Sequence, residues 1–335
     1  MDIIITLGPR TLENSSIKDI ENYGATVVRY NFSHFNEEQF RESIKEIREN
    51  KIDLKLLGDI QGAKIRVWKE IEEPIKLKEG DRVRFCSYEI YKENFLDKDK
   101  LIPLNISLKK FKIIKSKEIS LKDGSIIIQV LKIQDECIVG QVVKGGIVRG
   151  EKSCNIKGYK RGAVVLSNKD KKDIDYCVTE DFDIIALSYI EGKEGILKYK
   201  KYITSKAKSL SKEVPKIFSK VETIKGVQNI KEIIEHSDGV IIGRGDLVPE
   251  VGIINVPIAQ RIIVNNCKHK ELIVATHIFN SLSVIGDASP SEVNDIYWFI
   301  KSGVNGFMLA KETTIAQDPK KYIELLKKLI DKYSK

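Results

Sequence analysis

Lys216-Ile217-Phe218-Ser219-Lys220-Val221-Glu222, then a helical stretch, then Gly239-Val240-Ile241-Ile242-Gly243-Arg244-Gly245-Asp246: these residues decide the architecture. Each run is apolar until its last positions, which are charged. A short apolar run ending in charge, followed by a helical segment, is the repeating unit of a parallel sheet covered on both faces. Six more runs share the form: Ile3 to Leu7, Thr26 to Phe32, Leu54 to Ile60, Asp183 to Ile190, Glu271 to Ile278 and Val304 to Glu312. Eight strand-plus-helix units predict the α/β class and a (β/α)8 TIM barrel. Helix signals agree. Ile17 and Ile20 precede a closing Gly24, Asn36 caps Phe40, Ile44 and Ile47, and Asp318-Pro319 opens a helix with Tyr322, Leu325, Leu326 and Leu329 on one face.

The texture changes after the third run. Pro74 to Leu77, the turn Glu79-Gly80-Asp81, Val83 to Phe85, Asp123-Gly124 ahead of Ile126 to Val130, and Gly145-Gly146 after Ile138-Val139 and Val142-Val143 are hairpin signals. The expectation is an inserted all-β domain, a β-barrel lid over residues 67–156, with the (β/α)8 catalytic barrel built from 1–66 and 157–335. Without the insert, about 245 residues remain, close to the ~250 of one such barrel.

Composition bounds the setting. The 335 residues are 42% hydrophobic and 31% charged, which excludes wholesale disorder. No apolar run reaches the ~18 residues of a membrane span, and no secretory leader is evident. Cys86, Cys137, Cys154, Cys177 and Cys267 are scattered without a C-x-x-C pair, which argues against a disulfide framework or a zinc site. The expected compartment is the cytoplasm. A net charge of +9 suits an anionic substrate; interspersed acids, as in Lys169-Asp170-Lys171-Lys172-Asp173, speak against nucleic acid and membrane as partners.

In this architecture the active site forms at the carboxyl ends of the strands. The polar residues collected there are Thr6, Arg29, Asn31, Asp59, Ser188, Lys220, Glu222, Asp246, Thr276 and Glu312. Lys220 and Glu222, two residues apart on a strand, project the same way, and Asp246 ends the next strand beside them. Two carboxylates beside a lysine form a hard oxygen site suited to Mg²⁺. Lysine, arginine and a divalent ion are the electrostatic parts for phosphoryl transfer. A network of ion pairs pinning loops at the barrel mouth is the alternative reading.

Several strings resemble the pyruvate kinase family: Thr6-Leu7-Gly8-Pro9, Arg29-Tyr30-Asn31-Phe32-Ser33-His34, Asp123-Gly124, Ser219-Lys220-Val221-Glu222, Gly243-Arg244-Gly245-Asp246-Leu247, Ala275-Thr276 and Met308-Leu309-Ala310-Lys311-Glu312-Thr313. The resemblance implies a barrel with a mobile β-domain after the third strand, and transfer of a phosphoryl group between phosphoenolpyruvate and ADP to give pyruvate and ATP. It further implies Glu222 and Asp246 as holders of Mg²⁺ or Mn²⁺, and Lys220 as stabiliser of the phosphoryl and enolate charge. Arg29 would grip the phosphate, Thr276 with the Gly245 and Asp246 backbone would seat the carboxylate, and Asn31, His34, Arg66 and Lys152 would face the nucleotide.

Departures from the family pattern carry their own expectations. Asp59-Ile60-Gln61-Gly62-Ala63-Lys64-Ile65-Arg66 places Lys64 where K⁺-dependent members carry a Glu, so K⁺ is not required. Val248, Ala310, Ser289-Pro290-Ser291-Glu292, Glu191 and His277 replace residues usual in the family. The chain stops one helix after the eighth strand, so the family's C-terminal allosteric domain is expected to be absent, and a homo-oligomer is left open. Two alternative functions follow from the same residues. One is a Mg²⁺-dependent pyruvate-enolate lyase or aldolase of the citrate-lyase type. The other is a catalytically degenerate paralogue with a regulatory or specialised role.

Overall fold

The structure is a computed structural model, and it describes the chain except residues 72, 94–98, 123, 160 and 162–165. Asp123 of the Asp123-Gly124 turn therefore lies outside the described residues, while Gly124 has a φ of +84°. Eight parallel strands close into a ring: Asp2–Thr6, Val27–Asn31, Lys55–Ile60, Ile184–Leu187, Lys216–Val221, Gly239–Gly243, Glu271–Ala275 and Gly306–Leu309. They are adjacent in chain order, and the first pairs with the eighth. The barrel expected from the sequence is the barrel observed.

Strand alternation explains how the barrel carries a site. Ile4, Val27, Leu57, Ala186, Phe218, Ile241 and Met308 belong to one buried apolar cluster. Side chains two residues further along each strand face the same way. Those positions are Thr6, Arg29, Asp59, Ser188, Lys220, Gly243 and Ala310. A dry apolar layer is thus overlaid by a layer that is mostly polar.

The helices follow the sequence signals with small differences. Ser16 and Asp19 form a capping box for Ile17–Tyr23, which Gly24 ends in the left-handed region at φ +113°. Gly8-Pro9 opens a separate helix, Pro9–Asn14. In the closing helix Pro319–Tyr333, Tyr322, Ile323, Leu326, Leu329 and Ile330 are buried, so Ile323 and Ile330 hold core places and Leu325 is only half-buried.

Contacts divide the chain into two compact units. One comprises Met1–Gly62, Ala163–Leu247 and Asn255–Lys335; the other comprises Ala63–Gly162 with Val248–Ile254. The second unit has its own core, around Phe85, Phe111, Ile119, Ile128 and Ile138. Its strands form a six-stranded sheet in the order Cys154–Ile156, Glu118–Leu121, Ile126–Ile133, Ile138–Lys144, Arg82–Ser87, Leu101–Leu104, and a two-stranded ribbon of Ile75–Leu77 with Gly146–Val148. Among the described residues, Val67 bridges antiparallel to Leu104 and Arg66 to Ser153, so the segment 65–68 pairs with both edge strands of the six-stranded sheet. Two short helices, Tyr88–Lys92 and Leu108–Phe111, depart from the all-β expectation; they are too brief to leave a helical period in the sequence. Residues 63–162 hold 23 Lys and Arg against 14 Asp and Glu. That surplus equals the net charge of the whole chain, so the rest of the chain balances to zero.

Candidate active site

Asp59 is the centre of the polar layer. It is buried at the end of the third strand, and its Oδ2 accepts from Arg29 at both the Nε (2.9 Å) and a terminal nitrogen (2.6 Å). The Nζ of Lys220 lies 3.1 Å from each Asp59 oxygen, and the Ser188 hydroxyl donates to Oδ1 at 3.2 Å. Burial alone would raise this carboxyl, but Lys220 and Arg29 outweigh it and hold Asp59 at about 2. The other nitrogen of Arg29 donates to Thr6 Oγ1 at 2.8 Å, which hands its own proton to the Leu309 carbonyl. The guanidinium is thereby fixed from two strands.

Lys220 is the second hub. Its side chain is 12% exposed and also donates to Ser188 Oγ at 3.0 Å and pairs with Glu222 Oε1 at 3.2 Å. Burial pulls its basicity down, yet Asp59 and Glu222 together push it above the ordinary lysine value. The amine is therefore a permanent ammonium, suited to stabilising charge and not to abstracting a proton.

Glu222 follows the fifth strand directly. Its Oε2 accepts from the Tyr189 backbone at 2.9 Å, a residue held at φ +56°. Its carboxylate occupies space left by Gly243 on the neighbouring strand: a Cβ there would stand 2.5 Å from Glu222 Cγ and 2.7 Å from Oε1. The sixth strand stops at Gly243, earlier than the sequence suggests, and Arg244–Val251 is helical. Asp246 is accordingly buried in the first turn of that helix and is not a strand-end residue. Two carboxylates from adjacent elements, one in a cradle made by a glycine, match an ion that takes one or two carboxylates and completes its shell with other oxygens. Among the described residues no group of three or more His, Cys, Asp and Glu forms a closed cage, which separates this donor set from a structural zinc site.

The rim beyond the sixth and seventh strands is strained. Thr276 and His277 both have positive φ, +66° and +54°. Arg244 holds them there, donating to the Thr276 carbonyl at 2.9 Å and the His277 carbonyl at 2.8 Å, and pairing with Asp295. The Gly245 N–H donates to Thr276 Oγ1 at 2.8 Å. His277 is exposed, with Nδ1 3.1 Å from the Asn280 amide nitrogen.

The remaining expected residues are more dispersed. Asn31 ends the second strand and accepts from the Ser33 N–H at 3.1 Å; His34 is exposed in the short turn Phe32–His34. Arg66, Lys152 and Lys64 belong to the second unit, where Arg66 donates to the Glu151 carbonyl at 2.6 Å and Lys152 is exposed. One replaced string has a structural account. Ser289 and Glu292 form a capping box, with Pro290 at the first position of helix Pro290–Lys301. Glu312 holds the loops by accepting from the Ile278 and Ala310 N–H groups at 3.1 and 2.8 Å. Sequence alone offers Asp59 only as a match to a cation ligand and Ser188 only as a strand-end polar residue; Leu57 and Ala186, two places before them in the core stripe, are the signal that turns both inward.

A barrel mouth that gathers an ammonium, a guanidinium and carboxylates in one buried layer defines a class of enzyme, one that stabilises anionic oxygens in transfer. Comparison with known proteins gives the family. The model of the pyruvate kinase barrel domain matches residues 1–323. The pyruvate kinase of Thermotoga maritima is 32% identical over 98% of this chain and 69% of its own length, and that of Methanocaldococcus jannaschii is 32% identical over 98% and 68%. A crystal structure of a pyruvate kinase from Cryptosporidium parvum superimposes with a TM-score of 0.84 at 26% identity, covering 98% of this chain and 68% of that one. The chain belongs to the pyruvate kinase family and is a pyruvate kinase-like phosphotransferase. Family membership implies phosphoenolpyruvate and nucleotide substrates and general use of Mg²⁺. Among the described residues no single helix is long and apolar enough to cross a membrane.

Proposed function

We propose that the barrel mouth moves a phosphoryl group between phosphoenolpyruvate and ADP, and that Lys220, Arg29 and Thr276 are its catalytic residues. The supporting observation is the Lys220 ammonium held within 3.2 Å of Asp59, Ser188 and Glu222. Arg29, already oriented by Asp59 and Thr6, grips the phosphate of the substrate. Lys220 faces the oxygens on which charge grows as the ester bond breaks, and it remains positive throughout. Thr276 with the Gly245 and Asp246 backbone seats the substrate carboxylate; the Gly245 N–H, now donating to Thr276, is the donor that a carboxylate takes over. Glu222 and Asp246 hold Mg²⁺ or Mn²⁺, which when bound supplies Lewis-acid charge neutralisation to phosphoryl and enolate oxygens. Asn31, His34, Arg66 and Lys152 face the nucleotide phosphates. The basic surplus of residues 63–162 supports a lid that draws in an anionic nucleotide and excludes water. The expected setting is cytoplasmic.

Mixing the protein with phosphoenolpyruvate, ADP and Mg²⁺ and following ³¹P signals tests this reading. Loss of the enol phosphate signal with growth of ATP is expected. Pyruvate release from a 4-hydroxy-2-oxoacid without transfer would favour the lyase reading. No transfer and no Mg²⁺-dependent substrate binding would favour the silent paralogue.

Lys64 supports independence from K⁺, because a tethered ammonium supplies a fixed cation. Activity in tetramethylammonium buffer is expected within about twofold of that in K⁺, and Lys64→Glu is expected to make the rate depend on added K⁺. Gly243→Ala offers a second check. Its methyl would collide with Glu222, and displacing packed atoms costs about 1–3 kcal/mol, so Mn²⁺ titration is expected to show binding weakened by about tenfold or more.

A further inference from the structure

The helix Arg244–Val251 has two ends with different attachments. Its first turn carries Gly245 and Asp246. Its second half, from Val248, groups with the second unit. There Glu250 Oε1 accepts from a terminal nitrogen of Arg161 and from the Asn155 amide, each at 3.2 Å. The pair is almost fully enclosed, with side chains 6% and 3% exposed, and Asn155 sits on the strand Cys154–Ile156. A buried ion pair is a weak source of stability, because desolvation offsets the attraction; it is better at fixing one geometry. Here the geometry it fixes is that of a helix only eight residues long, with a proline, Pro249, inside it. Glu250 lies four residues from Asp246, about one turn along the same helix.

We propose that Glu250 is a positioning residue: by anchoring the far end of this helix to the second unit's sheet, it sets Gly245 and Asp246 for ligand and metal. The inference rests on the reading of Asp246 as a metal carboxylate. It makes the second unit a determinant of the metal site through the chain itself, with Asn155 and Arg161 as the points of attachment. Outer groups hydrogen-bonded directly to metal ligands change metal affinity by about 10–100-fold when removed, and a hold exerted through one helix turn is expected at the lower end of that range.

Two readouts test it, neither of them turnover. Hydrogen exchange in the metal-free protein is expected to quicken about tenfold at the amides of Arg244–Val251 in Glu250→Gln, with Lys216–Val221 unchanged. Mn²⁺ titration is expected to give binding weakened by about tenfold in the same variant. Should Glu250→Gln fold poorly, Glu250→Met combined with Arg161→Met removes both buried charges and restores stability without the directional bonds. That double variant is expected to keep the fast exchange and the weak metal binding. Exchange of the helix within about twofold of wild type overturns the proposal, and so does Mn²⁺ affinity within about twofold when exchange has quickened. Asp246→Asn separates the two claims. If it leaves Mn²⁺ binding intact, the metal role of Asp246 fails, and the exchange result alone then upholds or overturns the anchoring by Glu250.

Discussion

Lys220→Met is expected to lower kcat by about a thousandfold while the protein stays folded, the scale seen when one preorganised donor is removed from developing oxyanion charge. Burial lowers the basicity of this amine, but Asp59 and Glu222 raise it further, so the group is an ammonium at any working pH. On the proposed reading, its contribution is a fixed positive charge beside the breaking bond. The fold survives because each carboxylate keeps another partner: Asp59 retains Arg29, and Glu222 retains the Tyr189 N–H. Substrate binding, which the proposal assigns to Arg29, is expected to change far less than turnover. Steady-state kinetics with a circular dichroism control decide the matter; an undiminished kcat would remove Lys220 from the chemistry. Lys220→Arg is not expected to rescue, since a planar fork cannot reach Asp59, Ser188 and Glu222 as a point charge does.

The barrel was legible because its strands are buried on both faces and show as apolar runs in a sequence otherwise rich in Lys and Glu. Where those runs stop was less legible. Gly239 to Asp246 looks continuous, but hydrogen bonding to the neighbouring strand ends at Gly243 and the chain turns helical. Likewise the run Glu271 to Ile278 leaves its strand after Ala275, where Arg244 captures two carbonyls and forces left-handed backbone. Such turns are set by contacts distant in sequence, which no local period records. The same limit hid the attachment of Val248–Ile254 to the second unit. Asp59 illustrates the opposite case. Its inward direction was already given by alternation from Leu57, but its status as the partner of both cations needed the third-strand neighbours brought into register.

Asp59→Asn is expected to be among the most destabilising single changes in the barrel, and its effect should depend on pH with a definite sign. At neutral pH the substitution leaves Arg29 and Lys220 facing each other across a neutral amide. Removing one member of a buried charge network typically costs about 3–5 kcal/mol. Part of that cost can be derived from the site itself. The carboxyl is held at about 2 against a reference of 3.8, because Lys220 and Arg29 outweigh the burial that would raise it. A depressed carboxyl contributes stability that is present above its unfolded value and disappears as the pH falls through its folded one. The difference corresponds to about 2 kcal/mol, present in full above roughly pH 5 and lost progressively between about pH 4 and 2. The asparagine variant has no such term. Denaturant unfolding of the two proteins should therefore differ most at pH 7, with the gap narrowing below about pH 4 and smallest near pH 2. A gap that stays constant from pH 7 to about 2 would mean that Asp59 is not the ionised centre of the site. The variant also separates holding from catalysis. With Asp59 neutral, Arg29 and Lys220 are less compensated and should bind inorganic phosphate at least as tightly as wild type, even as kcat falls. Such a result would place the role of Asp59 in orienting two cations that an incoming phosphate must share, so that the stability this carboxylate confers and the anion affinity it restrains arise from the same pair of contacts.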